Sequence, residues 1–85
     1  GTFRLPVDRA FVIKGFGTVV TGTVLSGSLG LGDSVIIAPS GLKSRVRSLQ
    51  AYGDEREQVF AGERAAINLH GLERSEIERG EVLAR

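Results

Sequence analysis

The sequence predicts an all-β protein, a small closed antiparallel β-barrel. Three observations carry this. The run from Gly15 to Leu25 gathers Thr18, Val19, Val20, Thr21, Thr23 and Val24, β-branched residues that suit a pleated, half-buried surface and lose rotamer freedom in a helix. About seven short strand-like runs succeed one another along the chain, with turn signals between nearly all of them, which is the pattern of a barrel or sandwich. The 85 residues contain no cysteine, so packing alone must hold them, and closure into a barrel removes the edges that a small open sheet exposes.

Taken in order, Phe3 to Val7 alternates apolar and polar up to Pro6, which confines the run to an edge or a strand start. Asp8-Arg9 separates it from Ala10-Phe11-Val12-Ile13. In the long run that follows, Gly15 and Gly17 supply a bend or a positive φ at the entry. Gly22 inside it marks a bulge or the close approach of another backbone. Ser26 to Asp33 reads as a turn-rich connection whose leucines fold back onto the barrel end. Ser34 to Ile37 is a short buried strand, closed by the loop Pro39-Ser40-Gly41. Lys43 to Ala51 alternates, with Val46 between Arg45 and Arg47. Tyr52 to Glu57 reads as a charged loop, Phe60 to Glu63 as a turn and Arg64 to His70 as a strand. Glu73 to Arg79 is the one helical turn the sequence suggests, stopped by Gly80, and Glu81 to Ala84 is a final strand.

The bulk figures limit the function. Residues 1–85 make one domain, which at this size buries roughly 60–65% of the surface its unfolded chain exposes. Eleven Lys and Arg against ten Asp and Glu leave a net charge of +1, so any contact with nucleic acid must rest on local placement. No apolar run approaches a membrane span and no signal peptide is visible, so a cytoplasmic setting without a membrane partner is expected. The chain starts at Gly1 without a methionine, which suggests a segment of a larger protein with Gly1 a cloning remnant.

Catalytic and metal motifs do not assemble. Gly27 to Ser34 has the outer glycines and final Ser of a phosphate loop, but Asp33 stands where that loop needs Lys, setting a negative charge against phosphate. Gly15-Phe16-Gly17 lacks the third glycine of a dinucleotide fingerprint, since Val20 occupies that place. His70 is the single histidine, and a structural strand-end role is the better reading than a metal ligand. Nothing orders a nucleophile with a base. Glu73, Glu76, Glu78 and Glu81 read as a solvated face. Lys43, Arg45 and Arg47 share one side of a strand, either as a phosphate track or, the favoured reading, as a strand edge guarded by charge. No metal, cofactor or catalysis is therefore expected in this segment.

Four stretches occur in a telling order: Phe3-Arg4-Leu5-Pro6-Val7-Asp8-Arg9-Ala10-Phe11, Gly17-Thr18-Val19-Val20-Thr21-Gly22, Ala61-Gly62-Glu63 and Ile77-Glu78-Arg79-Gly80-Glu81-Val82-Leu83. Together they resemble the second domain of the translational GTPases typified by elongation factor Tu. The resemblance implies a small antiparallel barrel that docks on a GTPase domain and holds the aminoacylated 3′ end of a transfer RNA. GTP and magnesium would then belong to the GTPase domain. The general factor has Glu-Asp in place of Asp8-Arg9 and Asn in place of Arg64. The run Lys14 to Thr23 and the set Asp8, Arg9 and Arg64 instead resemble the selenocysteine-specific elongation factors. That resemblance implies a selenocysteyl pocket at Asp8, Arg9 and Arg64, with selenocysteyl-tRNA and the ribosome as partners. It also implies that Ile13, Val19 and Gln50 contact the terminal adenosine.

The chemistry is consistent with this expectation. A selenol is a stronger acid than a thiol and is mostly anionic at neutral pH, and guanidinium groups suit a partly desolvated anion. A seryl group offers only a neutral hydroxyl, which cannot compensate two cations for lost water. Asp8 either accepts from the substrate's ammonium or holds one arginine in position. The alternatives are the equivalent barrel of another translational GTPase, against which Arg64 argues, and a docking barrel between GTPase domain and ribosome.

Overall fold

The computed structural model describes residues 2–85; Gly1, and with it the reading of that residue as a cloning remnant, lies outside them. The described residues form ten strands: β1 (Arg4–Pro6), β2 (Arg9–Ile13), β3 (Gly17–Thr23), β4 (Ser28–Gly30), β5 (Ser34–Ala38), β6 (Leu42–Ala51), β7 (Asp54–Arg56), β8 (Gln58–Phe60), β9 (Arg64–Leu69) and β10 (Val82–Ala84). All pair antiparallel. The main sheet runs β1-β10-β5-β6-β9-β3-β2, with β7 hooked back onto β6, while β4 and β8 pair separately. The sheet curls until β1 returns to the end of β3, where Arg4 and Ser26 form a bridge through Arg4 N–H to Ser26 O at 3.1 Å and Leu25 N–H to Arg4 O at 2.8 Å.

Alternation along each strand sends one set of side chains inward. Leu5, Val20, Leu29, Ile37, Leu49, Ile67 and Leu83, one from each of seven strands, are fully enclosed. β3 is the spine the sequence suggests, paired with β2 on one side and β9 on the other. Gly22 is where β1 crosses it. A Cβ there would lie 2.2 Å from the Pro6 carbonyl oxygen and 2.8 Å from Leu5 Cδ2, so only glycine lets the two backbones approach. The glycine at the start of β3 also meets its expectation, since Gly17 has a φ of 96°.

Four local expectations are corrected. Leu29 and its neighbours do not merely fold over the barrel end: Ser28–Gly30 is strand β4, paired with β8, whose last residue Phe60 opens the run read as a turn. The charged run after Tyr52 holds strand β7, paired through Gln50↔Glu55; its exposed side chains hide the alternation that a buried strand would show. The helical turn is only a short 3-10 turn over Arg74–Glu76, because Ile77 must turn inward to the core. Finally, β6 is not an edge. It pairs with β5 over one half and with β9 over the other, so Lys43, Arg45 and Arg47 do not guard an unpaired strand. No helix among the described residues is long and apolar enough to cross a membrane.

Candidate functional site

The outer face of β2, β3, β9 and β6 gathers most of the residues that the sequence singled out. Pairing register sets Phe11, Val19, Asn68 and Ser48 in one row across the four strands, and Arg9, Thr21, Ala66 and Gln50 in the next. A register shift between Val46 and Ser48 in β6 turns Ser48 and Gln50 onto this face after the basic Lys43 and Arg45. Such a bulge re-aims the side chains that follow it.

Two clefts adjoin along these rows and share Gln50 and Ala66. The first holds about 190 Å³ between Phe11, Ile13, Phe16 and Val19 on its apolar wall and Ser48, Gln50 and Asn68 on its floor. Its volume falls below that of a drug-sized pocket and leaves room for one small planar group. Ile13 and Phe16 are exposed although apolar, at 42% and 58%. The second cleft lies between Arg9, Thr21, Gln50, Tyr52, Arg64 and Ala66. Tyr52 sits at the tip of the two-residue turn between β6 and β7, where it and Gly53 have φ of 55° and 80°. Two positive values are what a tight hairpin turn demands, and Tyr is a costly residue to put there.

Each charged group has a distinct setting. The Arg64 guanidinium is ion-paired with Asp8 and lies 3.5 Å from Thr23 Oγ1. Arg9 lies over the Phe11 ring at 5.2 Å, a cation–π arrangement that keeps its head at the cleft. Arg64 leaves a turn fixed by Glu63, whose carboxylate accepts from Phe60 N–H and from Arg56, both at 2.8 Å. The Phe60 N–H above all, and then Arg56, hold the Glu63 carboxyl below its ordinary value of 4.5.

Among the described residues, Thr21 Oγ1 and Asn68 Oδ1 are the buried side-chain atoms without a hydrogen-bond partner. One lies in each cleft. Buried polar groups are ordinarily satisfied, so these two enclosed atoms are exceptions, at residues that border the clefts.

Arg9 and Arg64 thus share one cleft, and Asp8 stands beside it holding Arg64. Ile13 and Val19 line the other, and Gln50 lies between the two. The sequence reading did not select Phe11, Phe16, Thr21, Tyr52 or Asn68. Phe11 was open to detection, being in step with Arg9 and Ile13 on β2, and so was Asn68, a lone amide in an apolar strand in step with Arg64. The near-match to a phosphate loop is a strand and turn in which the Asp33 carboxylate accepts from Gly30 N–H at 2.7 Å and pairs with Arg85 at 3.4 Å. At His70 the main chain is bonded, its N–H to Arg45 O at 3.0 Å and its carbonyl oxygen to the Ser44 hydroxyl, and the residue is exposed.

Comparison with known proteins gives a consistent family. The family model of elongation factor Tu domain 2 matches residues 17–84. The selenocysteine-specific elongation factor of Desulfomicrobium baculatum is 62% identical over 82 residues, covering 96% of this chain and 13% of the relative. That of Escherichia coli K12 is 46% identical over 83 residues, covering 96% of this chain and 14% of the relative. The crystal structure of a bacterial selenocysteine-specific elongation factor, EF-Sec, superposes with a TM-score of 0.91 at 40% identity, covering 98% of this chain and 14% of that one. The chain therefore spans about one seventh of the length of the relatives it matches.

Proposed function

The chain belongs to the elongation factor Tu domain 2 family, and we propose that it is the aminoacyl-tRNA-binding barrel of a selenocysteine-specific elongation factor. On this reading residues 1–85 are one domain of a longer translational GTPase, whose nucleotide and magnesium belong to another domain and whose other partner is the ribosome. The barrel itself performs no catalysis. It holds the 3′ end of selenocysteyl-tRNA, with the terminal adenine in the apolar cleft and the selenocysteyl group in the adjoining one.

The observation that carries this reading is the adjacency of the two clefts on one sheet face. One is apolar with polar groups on its floor; the other is flanked by two guanidinium groups. A nucleotide esterified to an anionic side chain has that same division. Arg9 and Arg64 would each donate charge-assisted hydrogen bonds to the selenolate. Asp8 holds Arg64, which favours the positioning role over that of ammonium acceptor. At 54% and 43% side-chain exposure this pair adds little to stability, so its value lies in where it keeps the guanidinium. A seryl group in the same cleft offers Arg9 no anion and Arg64 none beyond Asp8, so selectivity comes in part from a penalty on the wrong substrate.

NMR titration of the isotopically labelled chain with 3′-aminoacyl-adenosine mimics, kept reduced at neutral pH, tests the assignment. The selenocysteyl mimic should perturb Arg9, Arg64 and Asp8 together with Ile13 and Val19, while the seryl mimic should perturb the apolar cleft alone. Shifts confined to another face of the barrel would rule the reading out. The equivalent barrel of another translational GTPase would respond to both mimics alike.

A further inference from the structure

We infer that Lys43, Arg45 and Arg47 form a track for the phosphates of the nucleotides that precede the terminal one, an inference that rests on the function proposed above. On β6 these side chains alternate with the inward Ser44 and Val46, so all three point outward, in steps of about 7 Å. That is close to the step between successive phosphates along a nucleic-acid strand. β6 is paired on both sides, which removes protection of a free edge as the reason for a basic strip. Among the described residues, the cations with ion-pair partners are Arg56, Arg64 and Arg85. The three charges on β6 are left for a partner outside the chain.

The strip begins at the apolar cleft. Between the inward Val46 and Leu49 two consecutive residues, Arg47 and Ser48, face outward, because the register shifts there. Ser48 lies on the cleft floor, and the Arg47 guanidinium donates to the Phe16 carbonyl at 3.2 Å. Arg45 follows with Ser34 opposite it, and then Lys43 opposite Ile36. Together with Arg85 they border a shallow groove of about 610 Å³ on the outside of β5 and β6. Arg85 is already paired with Asp33 at 3.4 Å, and Glu55 and Glu57 stand near Arg47, so Lys43 and Arg45 carry most of the attraction for an anion. Strand direction agrees with this. Arg45 and Arg47 lie on the opposite side of the Val19–Asn68–Ser48 row from Arg9 and Arg64. A terminal ribose whose 3′ ester reaches the Arg9–Arg64 cleft therefore sends its 5′ phosphate toward Arg47. Phosphate contacts of this kind position a strand without reading its sequence.

The test compares adenosine with a cytidine-rich tetraribonucleotide ending in adenosine, each titrated into the labelled chain over a series of salt concentrations. The tetranucleotide should bind roughly tenfold more tightly at low salt. Its log K should fall against log salt with a slope of about −1.4 to −2.1, at about 0.7 for each phosphate engaged, whereas adenosine, without a phosphate, should show almost none. Lys43→Gln and Arg45→Gln should each reduce the slope by about 0.7. Arg79→Gln, the same loss of charge in the exposed turn before β10, should leave it unchanged. With Ile13 and Val19 shifting for both ligands, equal affinity and equal salt response would mean that the tail is not held. An equal drop in slope for Arg79→Gln would mean that only net charge is felt. Either result overturns the inference and leaves the proposed function standing. If neither ligand perturbs the cleft, the proposed function falls and the inference falls with it. The ligand comparison within the wild-type chain does not depend on any variant folding.

Discussion

Asp8 and Arg9 are neighbours in sequence, but Arg64 lies far from both, and nothing in composition or spacing brings it to them. Their proximity follows from β2 and β9 flanking β3, which sets Arg9 opposite Thr21 and Arg64 opposite Thr23. The resemblance to a known family named these three residues; their separate settings, one guanidinium pinned by a carboxylate and one over an aromatic ring, needed side-chain geometry. Asn68 was open to detection as a lone amide in an apolar strand, but the missing partner of its Oδ1 was not, because that depends on side-chain geometry. Glu63 sets the turn from which Arg64 emerges, and its behaviour with pH is predictable. Its folded pKa is depressed, so the unfolded chain binds more protons in that range and stability rises with pH through it. The contribution is complete above the unfolded value of 4.5 and is lost as pH falls through the folded value. Glu63→Gln should therefore unfold at lower denaturant concentration at neutral pH and lose less stability than the wild type between about pH 5 and pH 3. Parallel acid losses in the two proteins would show that Glu63 is not responsible.

Among the elements, β3 was legible because its β-branched residues and its glycines pointed the same way. Gly22 in particular was expected to mark a close backbone approach, and the Pro6 carbonyl is the backbone that approaches. β4, β7 and β8 were not legible. Each has three residues, too few for alternation to show, and β7 lies in the run Asp54-Glu55-Arg56, whose charges read as a loop. Their pairing partners supply the order that their own sequences lack. The crossing at Gly22 gives a sharp test. Gly22→Ala should destabilise the barrel by about 3 kcal/mol, the upper end of ordinary overpacking, because the obstacle is backbone and cannot rotate away. Gly30→Ala, where the added Cβ would meet atoms no nearer than 3.5 Å, should stay within about 1 kcal/mol of the wild type. Denaturant midpoints for the two variants decide it: equal losses would mean that β1 does not depend on Gly22 for its place.

On the scale of the whole molecule, the barrel creates a site that no single strand contains. Four strands each contribute two neighbouring side chains to one outer face, and the core behind them keeps those rows in register. A net charge of +1 hides this arrangement, since the useful positive charge is local and is partly offset by Asp8. Fold class and resemblance were therefore legible in the sequence, while the division of the face into an apolar and a cationic cleft emerged only from the register. The central claim is that this face prefers an anionic aminoacyl group to a neutral one. Isothermal calorimetry of the chain at neutral pH, with selenocysteyl- and seryl-adenosine mimics otherwise identical, measures that preference as a ratio of dissociation constants. The selenol mimic should bind roughly tenfold more tightly or better, the equivalent of one charge-assisted contact, and the ratio should shrink as the selenol is protonated at lower pH. A ratio near one at neutral pH would contradict the claim and leave the barrel a reader of the nucleotide alone.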